Sequence, residues 1–387
     1  MFIIFHSGAL YPQPEQNTML LMKTCKSLLP AHQIRFFSFA KASYQATLPS
    51  ACFGFPVYWC LDLRRDWRRR LLYPALSKLF DRRGYSDYLS AKLATDELQI
   101  AIKRNPPDAV VSTIEPFYAA DAVSRTKGMK RILYLMDPPA ELSNGHSTKY
   151  RIRRLKKILA TQDAILTTPF IRDALISHGY VNSSKKLFIV GFPLIEQQAV
   201  VPNAVSDRQQ IHLLFCGWLY ADIRSPRYFL DILSRLDERF VVTFMGRECE
   251  NLTERFEIHT KARLITLPQQ PYDAAQQAMA DADIMINIGN SVPVHMPSKT
   301  LEYINTGKPF VNFYKMEDCP TLYYTKRYPL CLNLSEQDPD IDAATERFTA
   351  FCLESKGKTV DRTDIEREYA DCTPRYIAQK ILDALGE

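Results

Sequence analysis

The chain of 387 residues is 46% apolar and 24% charged, enough to bury two cores of ordinary size, which excludes a small stapled module or a disordered tail. Its net charge is +6, no stretch supplies the ~18 to 20 uninterrupted apolar residues of a spanning helix, and the opening Met1-Phe2-Ile3-Ile4-Phe5 lacks the basic start of a secretory leader, so a cytoplasmic location is expected. Nine cysteines, odd in number, scattered and without a C-x-x-C pair, fit reduced thiols and argue against a cysteine-bound metal.

Short β-rich runs at 2–5, 35–39, 109–112, 131–136, 164–168 and 187–190 alternate with helical patterns in the first half. Asn17 is placed to cap the first helix, which carries Leu21, Cys25, Leu28 and Leu29 on one side. The aromatic run Cys52-Phe53-Gly54-Phe55-Pro56-Val57-Tyr58-Trp59-Cys60-Leu61 precedes a basic stretch from Arg64 to Arg83, with eight Lys and Arg against two acids. Between Lys149 and Lys157 lie six bases and no acid. Residues 1–200 thus hold 28 Lys and Arg against 15 Asp and Glu, and the remainder 21 against 28. Aromatics beside dense positive charge suit a surface resting on anionic lipid headgroups, where each base adds about 1 kcal/mol. A solvated helix face beside a core strand has the same composition. Nucleic acid is not expected, because no helix-turn-helix, RRM, KH or zinc-finger signature accompanies the charge.

The polar segment 196–210, containing Pro202, lies where the charge changes sign and reads as a linker. Beyond it, β-rich runs follow at 211–216, 240–244, 262–267, 283–288, 310–314 and 330–334. Ser225-Pro226 offers a cap and a first-turn proline to a helix with Phe229, Ile232, Leu233 and Leu236 on one face. Thr373-Pro374 opens a last helix carrying Ile377, Ile381 and Leu385. Apolar strands separated by helix-length segments predict an α/β chain of two doubly wound, Rossmann-like domains with parallel sheets. Their expected bounds are 1–195 and 211–370, with 371–387 as a C-terminal helix.

The segment most informative about chemistry follows the run 283–288. It reads as a small-residue loop, Gly289-Asn290-Ser291, then Val292-Pro293-Val294-His295-Met296-Pro297, then a short helix opened by Ser298. Ser298 can cap that helix, leaving the N–H groups of Lys299 and Thr300 aimed into the loop, and the Lys299 ammonium adds charge there, so a diphosphate is a natural guest. Glu302, one turn on, can accept hydrogen bonds from two vicinal ribose hydroxyls. Gly307 and Pro309 stop the helix. On spacing alone, any αβ unit can begin a helix with Ser, Lys and Glu.

The pattern Pro297-Ser298-Lys299-x-x-Glu302-Tyr303-x-x-x-Gly307-Lys308-Pro309, preceded by Ala280-Asp281-Ala282-Asp283-Ile284, resembles the nucleotide-sugar site of GT-B glycosyltransferases, in particular bacterial members similar to family 4. Leu213-Leu214-Phe215-Cys216-Gly217-Trp218-Leu219-Tyr220, with Arg224-Ser225-Pro226, resembles the first βα unit of their donor domain. The likeness covers roughly 211–309. It implies the GT-B fold, with the last helix returning to the first domain. It also implies Glu302 on the ribose, Ser298, Lys299 and Thr300 near the phosphates, and Arg224 where the family usually has a phosphate-binding Lys. Gly217 would approach the donor, backbone from Gln269 to Tyr272 would hold the base, and His295 would reach the donor from the motif loop. Two positions depart from the pattern: Val294 stands where many members have a second Glu, and Trp218 where an Arg often follows the glycine.

The implied reaction moves a sugar from a UDP- or GDP-linked donor to a surface-glycan or lipid-linked acceptor held by the basic first domain, with no cofactor and no metal required, on the inner face of the membrane. Lys299 and Arg224 would stabilise the charge of the leaving diphosphate. Candidate bases lie on first-domain strand-end loops: His6, Glu115 and Asp137, with Gly8 open to close backbone approach. Two other readings share the fold: a UDP-sugar epimerase, and a non-catalytic sugar-nucleotide-binding protein.

Overall fold

The computed structural model describes residues 1–10, 15–41, 47–62, 88–143, 149–182, 184–197, 209–219 and 223–386. The basic stretch 64–83, most of the expected linker and Tyr220 lie outside the described residues. The chain divides into two compact units, Met1–Pro193 together with Asp371–Glu387, and Leu194–Ala370.

In the first unit, the described strands are β1 (Phe2–His6), β2 (Gln33–Lys41), β3 (Ala51–Cys52), β4 (Phe55–Asp62), β5 (Ala109–Thr113), β6 (Lys130–Leu135), β7 (Ala164–Thr167) and β8 (Leu187–Ile189). They form one sheet in the order β3-β4-β2-β1-β5-β6-β7-β8. All pairs are parallel except β3 with β4. Those two are joined by Phe53 and Gly54, whose φ values of 53° and 85° give the double left-handed turn that matches strand twist. The aromatic run 52–61 is largely this hairpin: Phe55 and Cys60 are buried, with Phe36 against the Phe55 ring, while Phe53 at the turn is exposed. The central strands are apolar because helices cover both faces of a parallel sheet, and β5 is buried along its whole length.

The last helix, Pro374–Leu385, packs against Gln16–Leu28 and against β6 and β7. Thr373 caps it, accepting from the Tyr376 N–H at 3.2 Å. At its other end the ammonium groups of Lys130 and Lys186 donate to the carbonyls of Leu385 (2.8 Å) and Asp383 (3.1 Å), where orphan carbonyls and the helix dipole favour cations.

The second unit holds β9 (Ile211–Cys216), β10 (Phe240–Met245), β11 (Arg263–Leu267), β12 (Ile284–Ile288), β13 (Phe310–Tyr314) and β14 (Cys331–Ser335). Its order is β11-β10-β9-β12-β13-β14, parallel throughout. Register is pinned inside the core by a ladder of amides: Asn287 donates to Asn312 (2.7 Å) and Asn312 to Asn333 (2.8 Å), each directly opposite the next. A slip of one residue would strand these polar groups among apolar neighbours. The strand order reverses between β1 and β5 in the first sheet and between β9 and β12 in the second. Such reversals open a crevice beyond the carboxyl ends of the strands, where doubly wound sheets bind ligands.

Two helix starts differ from expectation. The first helix begins at Gln16 after Glu15, and Asn17 turns its side chain away to bond Asp137. The helix Arg227–Leu233 has Pro226 at its cap position, which offers no side-chain cap, and Ser225, one residue earlier, accepts from the Arg227 N–H at 3.4 Å.

Candidate active site

At the reversal in the second unit, β9 ends at Cys216 and Gly217. A Cβ on Gly246, the residue after β10, would lie 1.7 Å from the Gly217 carbonyl oxygen, so the two strand ends meet backbone to backbone. The motif helix Lys299–Asn305 is fastened to this point by Tyr303. The buried Tyr303 hydroxyl accepts from the Cys216 N–H (3.0 Å) and donates to the Cys216 carbonyl (3.1 Å), a double anchor between helix and strand end.

On that helix the Lys299 ammonium lies 2.6 Å from Glu302 Oε2, and Gln276 Nε2 donates to the same oxygen at 3.4 Å. Burial alone would lower the Lys299 pKa, but the Glu302 carboxylate outweighs it and holds the ammonium above the usual lysine value. Lys299 is thus charged at every physiological pH. Ser298 occupies the cap position with helical backbone angles and makes no side-chain cap bond, and the Thr300 N–H is spent on the Pro297 carbonyl at 3.1 Å. Those two expectations are corrected: the first turn is closed by backbone, and Thr300 is fully buried. Positive charge at this end comes from Lys299.

Arg224 is brought to the same edge by a chain of hydrogen bonds. Its Nε donates to Asn290 Oδ1 (2.9 Å) and its Nη1 to the Trp218 carbonyl (3.1 Å). Because the guanidinium can only donate, the Asn290 oxygen must face it, which turns Asn290 Nδ2 toward His295 Nδ1 at 2.6 Å and the His295 carbonyl at 3.1 Å. His295 Nδ1 is then an acceptor, and the ring is the tautomer protonated at Nε2. Next to it, Val294 sits at φ 58°, a left-handed conformation that a β-branched side chain adopts only when its surroundings hold it there, at a cost of order 1 to 3 kcal/mol. Trp218 is 39% exposed and Tyr272, the first residue of the helix Tyr272–Asp281, is 50% exposed. Arg247 stacks 4.6 Å above the Trp218 ring and donates to Gln269 Oε1 at 3.0 Å. Asn290, Tyr303, Gln276 and Arg247 are the side chains here that sequence reasoning passed over.

In the first unit, Asp137 follows β6 and accepts from Asn17 Nδ2 at 3.0 Å, while the same nitrogen donates to the Glu115 carbonyl at 3.3 Å. Asp137, Glu115, Asn17, Gln16 and Glu15 line a cavity of about 270 Å³ at the β1/β5 reversal. His6 stands apart from them. It is the last residue of β1 and not a loop residue, it is 0% exposed, and its Nδ1–H donates to the Phe37 carbonyl at 3.0 Å. Burial pulls its pKa down to about 4, against a smaller upward pull from the Phe37 bond. Gly8 faces Glu15, whose carboxylate takes the space a side chain would need. Among the described residues no group of three or more His, Cys, Asp or Glu is placed to hold a metal ion, and no helix is long and apolar enough to cross a membrane.

Two doubly wound units, each with polar side chains gathered at the carboxyl edge of its strand reversal, place the chain in the class of Rossmann-like α/β folds. No family model and no curated protein matches the sequence. Solved structures match it along its whole length. Anabaena Alr3699/HepE, solved in complex with UDP and glucose, is 14% identical, with a TM-score of 0.65 over 100% of this chain and 99% of that one. An E. coli trehalose-6-phosphate protein bound with UDP-2-fluoro glucose is 13% identical, with a TM-score of 0.65 and the same coverage. The lipopolysaccharide outer core galactosyltransferase WaaB is 14% identical, with a TM-score of 0.61, again over 100% and 99% of the two chains. The architecture is that of the GT-B glycosyltransferases.

Proposed function

We propose that the protein is a glycosyltransferase that takes a sugar from a UDP- or GDP-linked donor and passes it to a glycan or lipid-linked acceptor. The observation that carries this reading is the Lys299–Glu302 pair at the strand reversal of the second unit, with Arg224 directed to the same edge. Glu302 is the ribose ligand in this reading. As the glycosidic bond breaks, the diphosphate gains negative charge and the sugar acquires oxocarbenium character, and Lys299 and Arg224 are fixed cations facing that change, the electrostatic contribution expected to be largest. No step requires a metal. Asp137 is the favoured base for the acceptor hydroxyl, since it lines a cavity, whereas His6 is sealed in the core. The basic stretch 64–83 is assigned to anionic lipid, which would keep the protein on the inner membrane surface.

Thermal-shift titration with UDP and GDP tests the donor site, because a ligand that binds only the folded state raises the melting temperature by mass action. Glu302→Ala should weaken nucleotide binding by about tenfold or more, the magnitude of a lost hydrogen bond to a charged group. Unchanged affinity in that variant would remove the assignment. Vesicle flotation that does not depend on anionic lipid would remove the membrane assignment. A binder without turnover is the second reading, favoured by Val294: its strained backbone and apolar side chain leave the loop without the second carboxylate of the pattern.

A further inference from the structure

Lys315 lies outside the motif, as the first residue after β13, and its side chain spans the carboxyl edge of the second sheet. β12 separates β13 from β9, yet the Lys315 ammonium donates to the carbonyl of Ser225, in the loop after β9, at 3.3 Å. The same ammonium is ion-paired with Glu336, just beyond β14. The frame around the pair is rigid: the Glu336 N–H donates to the Tyr314 carbonyl at 2.8 Å, and Gln337 Nε2 donates to the Lys315 carbonyl at 2.8 Å.

Both side chains are largely withdrawn from water, 17% and 11% exposed. Burial pushes the Glu336 carboxyl up, and Lys315 offsets only part of that. One carboxylate oxygen, Oε1, has no hydrogen-bond partner among the described residues. A desolvated ion pair with a polar atom left over contributes little net stability, so its value must lie in the geometry it enforces. That geometry is the loop presenting Arg224. From β12, Asn290 holds the Arg224 guanidinium and the Ser291 N–H bonds the Ile223 carbonyl at 2.8 Å. From β13 and β14, Lys315 holds the adjoining Ser225 carbonyl. The cation is gripped by its head on one side and by its backbone on the other.

We propose that Lys315, locked by Glu336, is a positioning residue that fixes the Ser225 carbonyl and so aims Arg224 at the donor's diphosphate. The inference rests on the donor-site reading above. It is tested by calorimetric titration of the full chain with UDP and GDP, with uridine and guanosine as phosphate-free controls. The wild type, Lys315→Met, Glu336→Gln, Lys315→Arg, Arg224→Met and the double variant Lys315→Met/Arg224→Met are compared. Lys315→Met should weaken diphosphate binding by about tenfold and leave the nucleosides unchanged, and Lys315→Arg should recover most of the loss. The double variant should bind like Arg224→Met alone, because one residue acts through the other and the two losses do not multiply. If Lys315→Met fails to fold, Glu336→Gln carries the same prediction at smaller size, together with faster amide exchange at 223–225. Wild-type affinity in Lys315→Met, or losses that multiply in the double variant, would overturn the proposal. A wild type that binds the diphosphates no better than the nucleosides would instead defeat the donor-site reading.

Discussion

Asn290 is the side chain on which two site residues depend. It is fully buried, and Arg224, 9% exposed, meets it through a bond whose direction is forced, since a guanidinium has no acceptor. Asn290→Ala would leave that guanidinium short of an acceptor in a dry environment, a cost of about 1 to 3 kcal/mol. Urea titration should show a lower midpoint at unchanged slope, accompanied by weaker diphosphate binding. A variant with full stability would show that water replaces the amide at no cost. His6 makes a separate prediction at this scale. Its pKa falls from 6.5 to about 4 in the folded state because burial disfavours the cation, so the unfolded chain binds the proton first. Stability from this group is complete above pH 6.5 and is lost as the pH falls toward 4, by an amount of order 3 kcal/mol. His6→Asn, which can still donate to the Phe37 carbonyl, should flatten that part of the stability profile. An unchanged slope between pH 6.5 and 4.5 would mean that His6 already titrates normally.

Elements were legible where one physical signal dominated. The central strands of both sheets read as apolar runs because they are buried on both faces, and Thr373-Pro374 read as a helix start because its hydroxyl accepts from the Tyr376 N–H. Legibility failed where a long-range partner outbid a local one: Asn17 forgoes its own helix for Asp137, which lies 120 positions away in sequence. At β4 the aromatic run after Phe53-Gly54 could be read as apolar, but its pairing beside β2 and its hairpin with β3 could not be inferred from composition. At the motif helix, the residue types Lys299 and Glu302 could be read, but their pairing with each other and the tether through Tyr303 could not. Tyr303→Phe tests that tether. Removing the hydroxyl leaves the Cys216 N–H and carbonyl without this buried partner, and each orphaned group costs about 1 to 3 kcal/mol. The melting temperature should drop and amide exchange at Cys216 and Gly217 should quicken. Unaltered protection there would show that the helix is held by apolar packing alone.

At the scale of the whole molecule, the division of the chain is also a division of charge, with the basic excess in the unit built mostly from the first half and the acidic excess in the other. The first unit is discontinuous in sequence: residues from 371 onward belong to it and supply a helix that packs on its sheet. Ile377 and Ile381 of the last helix are fully buried, each contributing about 1.5 to 3 kcal/mol by apolar burial, and Lys130 and Lys186 hold the far end of the helix. Those contributions are comparable with the roughly 5 to 15 kcal/mol that separates a folded domain from its unfolded chain. Truncation after Cys372 should therefore destabilise the first unit selectively. Hydrogen exchange should show protection lost in β1, β6 and β7 and retained in β9, β10 and β12, and calorimetry should show one transition moved down in temperature while the other stays. Equal loss in both units would mean that the chain folds as a single cooperative block, and no loss would mean that the helix is a passenger on the sheet it covers.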